Sequence, residues 1–210
     1  MAQKDIGNKV PLDTLTSTRQ VEAFYDEWAD GGKYNRDMQD WNYTGPKECV
    51  GVLSNYLQDT HSVILDAACG SGLVGEALQR RGYDCIYGAD LSEKLLDAVP
   101  RGIYRQLYQA DLNCPVDMPD NFFDAVVCVG AFTFGHLKAE VFEEFVRITK
   151  DKGYICFTIN NGIYVDQGFE AELKRLERQN KWCKKELFLG EYLASKSVHA
   201  RLGLFQVSKS

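Results

Sequence analysis

At 210 residues, 45% hydrophobic and 26% charged, the chain has the length and composition of one globular domain of ordinary size. That is too short for a nucleotide-binding domain plus a separate substrate domain, and no apolar run approaches the length that crosses a bilayer. The net charge of −6, with basic residues gathered only on a helix face around Lys174, Arg175 and Arg178, speaks against DNA or structured RNA as a partner. The first residues, MAQKDIGNKVPLDTLTSTR, carry neither the apolar core of a signal peptide nor the arginine-rich pattern of a transit peptide. Seven cysteines (Cys49, Cys69, Cys85, Cys114, Cys128, Cys156 and Cys183) form no CxxC pair and read as reduced thiols of a cytoplasmic protein. The expected partner is a small molecule, with no nucleic acid and no membrane.

The first helix is predicted from about Ser17 to Trp28, with Val21, Phe24, Tyr25 and Trp28 spaced for one face. The polar stretch ADGGKYNRDMQDWNYTG breaks it. A second helix starts near Pro46, a residue suited to a first helical turn, and carries Val50, Leu53 and Leu57 on one side. Then HSVILDAA reads as a strand, GLVGEALQRRG as a helix, DCIYGAD as a strand, SEKLLDAV as a short helix, and YRQLYQAD and FFDAVVCVG as strands. A helix carrying Val141, Phe142, Phe145 and Val146 follows, then the strand GYICFTIN and a helix through Phe169, Leu173 and Leu176. Strands that are near-continuous apolar runs are buried on both faces, as in a parallel sheet covered by helices. KKELFLGEYLA and RLGLFQVSKS are two last strands whose short connection pairs them antiparallel at the sheet edge. The fold class is α/β: a Rossmann-like, seven-stranded, mostly parallel sheet with a reversed terminal strand and two N-terminal helices as cap. Residues 1–210 are expected to form a single domain, with a flexible N-terminus over 1–16, the helical cap over 17–60 and the Rossmann-like core over 61–210.

Such sheets bind ligands beyond the C-terminal ends of their strands. There the chain places ILDAACGSGLVG, in which Gly70, Gly72 and Gly75 spell G-x-G-x-x-G. The string alone permits a dinucleotide pyrophosphate, and hence an NAD(P)-dependent oxidoreductase. Three acids at successive strand ends choose between ligands. Asp90, 20 positions after Gly70, stands where a carboxylate accepts from both ribose hydroxyls of NAD or of S-adenosylmethionine. Asp66, at the entry to the loop, repels a pyrophosphate but suits the ammonium of a methionine tail, unless it simply caps the loop's own amides. Asp111 suits the adenine amino group, with the Leu112 N–H donating to a ring nitrogen. Gly75 is expected inside the following helix, allowing close helix–strand packing.

LDAACGSG, GADLS, QADL and FDAVVCVGAF resemble the successive cofactor motifs of class I S-adenosylmethionine-dependent methyltransferases, and the resemblance extends from about residue 20 onward. It implies S-adenosylmethionine as cofactor, S-adenosylhomocysteine as product, and cofactor contacts from Asp66, Ala68, Gly70, Gly72, Asp90, Leu91, Asp111, Leu112, Val129 and Gly130. The family's loop reads D-x-G-x-G-x-G, and here Ala68 stands at the first glycine. FYDEWADGGKYNRDM resembles, more narrowly, a small methyltransferase-like family named from the Williams–Beuren syndrome chromosomal region, with two extra residues before Tyr34.

Methyl transfer from a sulfonium is an in-line displacement, so alignment and exclusion of water are the protein's main tasks. Tyr25, Trp28 and Tyr34 are expected to close over the cofactor as a lid, where aromatic faces attract a sulfonium; packing within the first helix is their alternative role. Phe132 and Phe134 are expected to shape an acceptor pocket, with Asn160 and Tyr164 as polar contacts. His136 is the candidate general base. No cluster has metal-ligand spacing, so no metal is predicted. Besides the oxidoreductase, the alternative is a non-enzymatic S-adenosylmethionine-binding or interaction protein on the same fold.

Overall fold

The computed structural model describes residues 14–209, Thr16 and Gly135 excepted. The expected flexible N-terminus therefore lies outside the described residues, save Thr14 and Leu15. Helix α1 (Thr18–Ala29) starts in a reciprocal capping box: Ser17 Oγ accepts from the Gln20 N–H, and the Gln20 side chain accepts from the Ser17 N–H. It ends at a short 3-10 turn in which Gly31 and Gly32 take φ of 60° and 71°, left-handed values that disfavour a side chain. The chain then restarts as α2 (Lys33–Asp40), a helix inside the stretch read from sequence as a break. The glycines end one helix, and nothing after them prevents another. Helix α3 (Gly45–Ser54) begins with Pro46 in its first turn, as expected.

The sheet comprises β1 (Val63–Ala67), β2 (Cys85–Asp90), β3 (Gln106–Gln109), β4 (Phe123–Phe132), β5 (Thr149–Asn160), β6 (Trp182–Leu193) and β7 (Val198–Val207). Their order is β3-β2-β1-β4-β5-β7-β6. Strands β1 to β5 pair in parallel, whereas β7 runs antiparallel to both β5 and β6. The reversed strand is thus last in the chain but second from the edge, and the terminal pair is antiparallel as the short connection requires. The remaining helices are α4 (Leu73–Arg80), α5 (Glu93–Asp97), α6 (Val141–Ile148) and α7 (Phe169–Arg178).

Both faces of the sheet are covered. Phe142 and Phe145 of α6 and Phe169 of α7 pack with Leu65, Val126 and Phe157 in one cluster. In the other, Val50 and Leu53 of α3 and Leu78 of α4 pack with Ile64, Ile86 and Val127. Each such side chain contributes about 1.5–3 kcal/mol on full burial, which is why continuous apolar strands and one-sided helices specify this layering. Helix α3 therefore belongs to the sheet's covering layer, and the expected pairing of the first and second predicted helices as one cap is corrected. The cap is α1 and α2. Their shared cluster joins Val21, Phe24, Trp28 and Met38 to Leu193 and Val198, which flank the β6–β7 turn. Backbone bonds from the Ala194 N–H to the Asn42 carbonyl (3.3 Å) and from the Ser195 N–H to the Trp41 carbonyl (3.2 Å) fasten that turn to the end of the cap.

Candidate active site

Strand order reverses between β1 and β4, and beyond their C-terminal ends lies a cavity of about 660 Å³. Ala68 and Gly70 of the loop after β1, Asp90 and Leu91 after β2, Asp111 and Leu112 after β3, and Val129 and Gly130 of β4 all line it. The cap contributes Tyr25 and Tyr34.

Asp90 organises the loop. Its Oδ2 accepts from the Gly70 N–H at 2.7 Å and its Oδ1 from the Ser92 N–H at 2.9 Å. Burial raises its pKa above the usual carboxylate range, while hydrogen bonds from the Ser92, Gly70 and Leu91 N–H groups hold it down. Each oxygen keeps a further lone pair for a ligand. Gly70 and Gly72 take φ of 53° and 94°, and Gly72 is the N-cap of α4. Ala68 shares the left-handed conformation at φ 59°, so the residue that replaces the family's glycine carries a Cβ where glycine is favoured. Neither Gly72 nor Asp66 reaches the cavity wall. Asp66 is fully buried; Tyr104 Oη donates to its Oδ2 at 2.5 Å, and its Oδ1 has no hydrogen-bond partner. Gly75 lies in the first turn of α4, where a Cβ would stand 2.4 Å from Tyr104 Oη and 2.5 Å from Ile103 Cγ2. The third glycine of the string thus serves packing, against the segment that enters β3 and not against a strand as expected.

Asp111 is reached from the cap. Thr18 Oγ1 donates to its Oδ2 at 2.9 Å, and the Asn113 N–H donates to its Oδ1 at 3.0 Å. Gly130 takes φ 92° where the β4–β5 register shifts, and its N–H donates to Thr158 Oγ1 at 3.0 Å. A Cβ there would meet Tyr43 Oη at 2.7 Å and Tyr192 Oη at 3.2 Å. The two hydroxyls lie 3.4 Å apart, and burial pushes Tyr43 upward and Tyr192 up to about 12, so both are neutral at physiological pH. Thr18, Tyr43, Tyr104 and Tyr192 belong to no motif. Tyr43 and Tyr192 stand 149 positions apart, and only the fold brings them to Gly130.

Several expected side chains lie elsewhere. Trp28 is buried in the cap cluster with its Nε1–H donating to Asp37 Oδ2 at 2.7 Å, so it supports Tyr25 and Tyr34 and does not face the cavity. Phe132 packs on Phe142 and Phe169 in the sheet core, at centroid distances of 4.7 and 5.3 Å. Phe134 bridges the core and cap clusters, off the cavity wall. Asn160 is buried and its Oδ1 accepts from the Gly162 N–H at 2.9 Å, a turn-forming contact. Tyr164 lies under the Arg201 guanidinium at 4.4 Å. An acceptor pocket built from Phe132, Phe134, Asn160 and Tyr164 is therefore corrected: large apolar side chains at the end of β4 fill the core before they can line an opening. His136 does line the cavity. Its Nδ1 stands 2.6 Å from the Phe134 carbonyl and donates to it, which leaves an unpartnered lone pair on Nε2. Burial pushes its pKa down to about 4, and the Tyr25 ring packs on it at 5.1 Å.

The donor set fits an adenosine carrying a cationic amino-acid tail. Carboxylates stand at the ends of β2 and β3, the loop backbone is open at Gly70, and a buried carboxyl oxygen at the root of that loop lacks a partner. Among the described residues no group of three or more His, Cys, Asp or Glu is placed to hold a metal ion. No helix among them is long and apolar enough to cross a membrane.

Comparison with known proteins agrees with this geometry. Residues 65–157, from β1 through most of β5, match the family model described as Methyltransferase domain. Residues 65–157 thus carry a methyltransferase domain, and the sheet has the fold of class I S-adenosylmethionine-dependent methyltransferases. Among curated proteins it is similar to human Methyltransferase-like protein 27, with 34% identity over 166 residues that cover 76% of this chain and 66% of that protein. Among solved structures it resembles magnesium protoporphyrin IX methyltransferase (ChlM) from Synechocystis PCC 6803, determined with bound S-adenosylmethionine, at a TM-score of 0.66, 15% identity and coverage of 91% and 97% of the two chains. A chain from the complex of the Haloferax volcanii Trm112 methyltransferase activator with a methyltransferase matches at a TM-score of 0.67 and 16% identity, covering 88% and 98%. The chain spans between 45 and 66% of the length of the curated relatives it matches.

Proposed function

We propose that the protein transfers a methyl group from S-adenosylmethionine to a small-molecule acceptor by in-line displacement, in the cytoplasm. The observation that carries this reading is the union of the Asp90–Gly70 hydrogen bond with the unpartnered oxygen of Asp66 beside a cavity of about 660 Å³. S-adenosylmethionine, when bound, supplies a methyl on a positively charged sulfur. Asp90 holds the ribose hydroxyls, Asp111 and the Leu112 N–H hold the adenine edge, and Asp66 compensates the ammonium. Ala68, Gly70, Leu91, Val129 and Gly130 give close backbone and apolar contact, with Gly72 shaping the loop into α4. Tyr25 and Tyr34 close the cavity from the cap and exclude water, with Trp28 behind them.

His136 Nε2 accepts the acceptor's proton. Its depressed pKa keeps the ring neutral at pH 7, so the lone pair is available, and general-base assistance is worth roughly 100-fold or more. His136→Ala therefore lowers turnover about 100-fold while S-adenosylhomocysteine affinity stays within a few-fold; an unchanged turnover removes His136 from the chemistry. Seven free cysteines, four of them buried, fit a reducing compartment. The acceptor class is tested by incubating the protein with methyl-labelled S-adenosylmethionine and a metabolite extract. Label entering the small-molecule fraction supports the reading. Label confined to protein or nucleic acid contradicts the acceptor class, and no transfer beside measurable donor binding favours a binding protein.

A further inference from the structure

The cavity wall carries more chemistry than a methyl donor needs. Asp90 and Asp111 stand at its β2 and β3 end, whereas His136, Lys138 and Gln167 line it from the segments that follow β4 and β5. Among the described residues Lys138 is the one lysine or arginine on that wall, and its ammonium has no acidic partner among them. Its backbone is nevertheless fixed. The Lys138 N–H donates to Asn113 Oδ1 at 3.0 Å, and Asn113 Nδ2 donates to the His136 carbonyl at 3.4 Å, so one side chain holds both ends of the 136–138 segment. Gln167 sits in the turn before α7, where its N–H donates to the Ile163 carbonyl at 3.0 Å and Tyr164 of the same turn lies under the Arg201 guanidinium at 4.4 Å.

We propose that this end of the cavity takes the methyl acceptor, and that the acceptor is a hydroxyl or thiol compound bearing a carboxylate, which Lys138 receives with Gln167 as a neutral donor on the same wall. This names the substrate class of the methyl-transfer reading and rests on it. The two ends of the cavity differ in sign. Asp90 and Asp111 attract a cationic donor and repel an anion, while the uncompensated charge of Lys138 does the reverse. A single cation balances one negative charge, which fits a carboxylate better than a phosphate dianion.

His136 separates the accepting atom from the anion. It lines the cavity and keeps an unpartnered lone pair on Nε2, and a base is needed only where the accepting atom carries a proton. The carboxylate is therefore recognised and not methylated. In the transfer a lone pair of the acceptor's oxygen or sulfur forms the bond to the methyl carbon, the donor's carbon–sulfur bond breaks with its electron pair going to sulfur, and the acceptor's proton passes to His136 Nε2. Lys138 takes no part in that step. It orients the acceptor through a charge-assisted hydrogen bond, and because it stands two residues from His136 on the segment that Asn113 holds, one element places both the anion and the reacting atom.

The test incubates the full chain with methyl-labelled S-adenosylmethionine and a small-molecule extract, then separates the labelled products on an anion exchanger. Label is expected in the retained fraction, and it is expected to stay there through mild alkali and through phosphatase treatment. Lys138 is exposed, so substitutions leave the core intact. Lys138→Met, which keeps the apolar stem and removes the charge, lowers the retained label at least about tenfold at dilute extract, and Lys138→Arg keeps it within about threefold. S-adenosylhomocysteine affinity by calorimetry changes less than about twofold in both variants. Label in the unretained fraction, or equal label from the protein and from Lys138→Met, overturns the anionic acceptor and leaves the methyl-transfer reading standing. Label released as methanol by alkali marks a methyl ester and overturns the recognition role of the carboxylate, and label that phosphatase moves out of the retained fraction assigns the anion to a phosphate and overturns the carboxylate. No label in any fraction beside measurable S-adenosylhomocysteine binding overturns the methyl-transfer reading and this proposal with it.

Discussion

The cavity has two walls of different construction. The sheet wall is made by the ends of parallel strands, where the Asp90 and Asp111 carboxylates accept hydrogen bonds from the Gly70, Ser92 and Asn113 N–H groups of the loops beyond them. The cap wall is made by α1 and α2, anchored at the β6–β7 turn by its apolar cluster and two backbone bonds, and joined to the strand-end loops by side-chain links: Thr18 to Asp111 at 2.9 Å, Ser92 to Asp26 at 2.5 Å, Lys94 to Asp30 at 2.8 Å, and an Asn35–Ser71 contact. Backbone ladders resist opening, whereas exposed side-chain pairs contribute little each. In the proposed function the sheet wall accordingly sets what is bound, and the cap wall sets how long it stays.

Breaking the sheet wall has the largest expected effect. Asp90→Ala removes two accepting oxygens and frees the Gly70 N–H, so S-adenosylhomocysteine affinity falls at least about 100-fold by calorimetry while the circular dichroism spectrum is kept. Gly130→Ala strains the junction of the two walls: the left-handed φ and the Tyr43 hydroxyl both oppose a Cβ, for a loss of about 2–3 kcal/mol in urea denaturation. Adding Tyr43→Phe recovers part of that loss, a non-additivity that a double-mutant cycle measures directly. If the pair proves additive, the hydroxyl is not what excludes a side chain.

Loosening the cap alone has a smaller effect. Thr18→Val removes the hydroxyl on Asp111, worth about 1 kcal/mol, and speeds S-adenosylhomocysteine dissociation about fivefold in stopped flow with little change in melting temperature. An unchanged dissociation rate removes Thr18 from the cap's closure. Smallest is Ala68→Gly, which relieves a left-handed alanine and stabilises the protein by about 0.5–1 kcal/mol, as the urea midpoint will report. A lower midpoint means that the loss of chain entropy outweighs the strain.

The same contrast explains what could be read from sequence. The strands announce themselves as apolar runs, and their order in a parallel sheet puts Asp90 and Asp111 at one edge without any knowledge of contacts. The cap gives a weaker signal. Val21, Phe24, Tyr25 and Trp28 share one helical face by spacing, yet Tyr25 reaches the cavity while Trp28 turns into a cluster with Leu193 and Val198, more than 160 positions later. Helical periodicity identifies a buried face but not which of two surroundings buries each residue. Phe132 fails for a related reason: its place at the end of β4 suggested the cavity, and the aromatic cluster with Phe142, Phe157 and Phe169 claims it for the core. Tyr104 and Gly75 were legible only in half, since the glycine is visible in the motif and its reason lies nearly thirty positions away.

In the proposed function the loop from Asp66 to Gly72 serves a cationic nucleoside and not a pyrophosphate. Parallel calorimetric titrations of the full chain with S-adenosylhomocysteine and with NADH at pH 8 test it most directly. Micromolar binding of S-adenosylhomocysteine with no detectable binding of NADH is the predicted result. Tight binding of NADH with none of S-adenosylhomocysteine would contradict it.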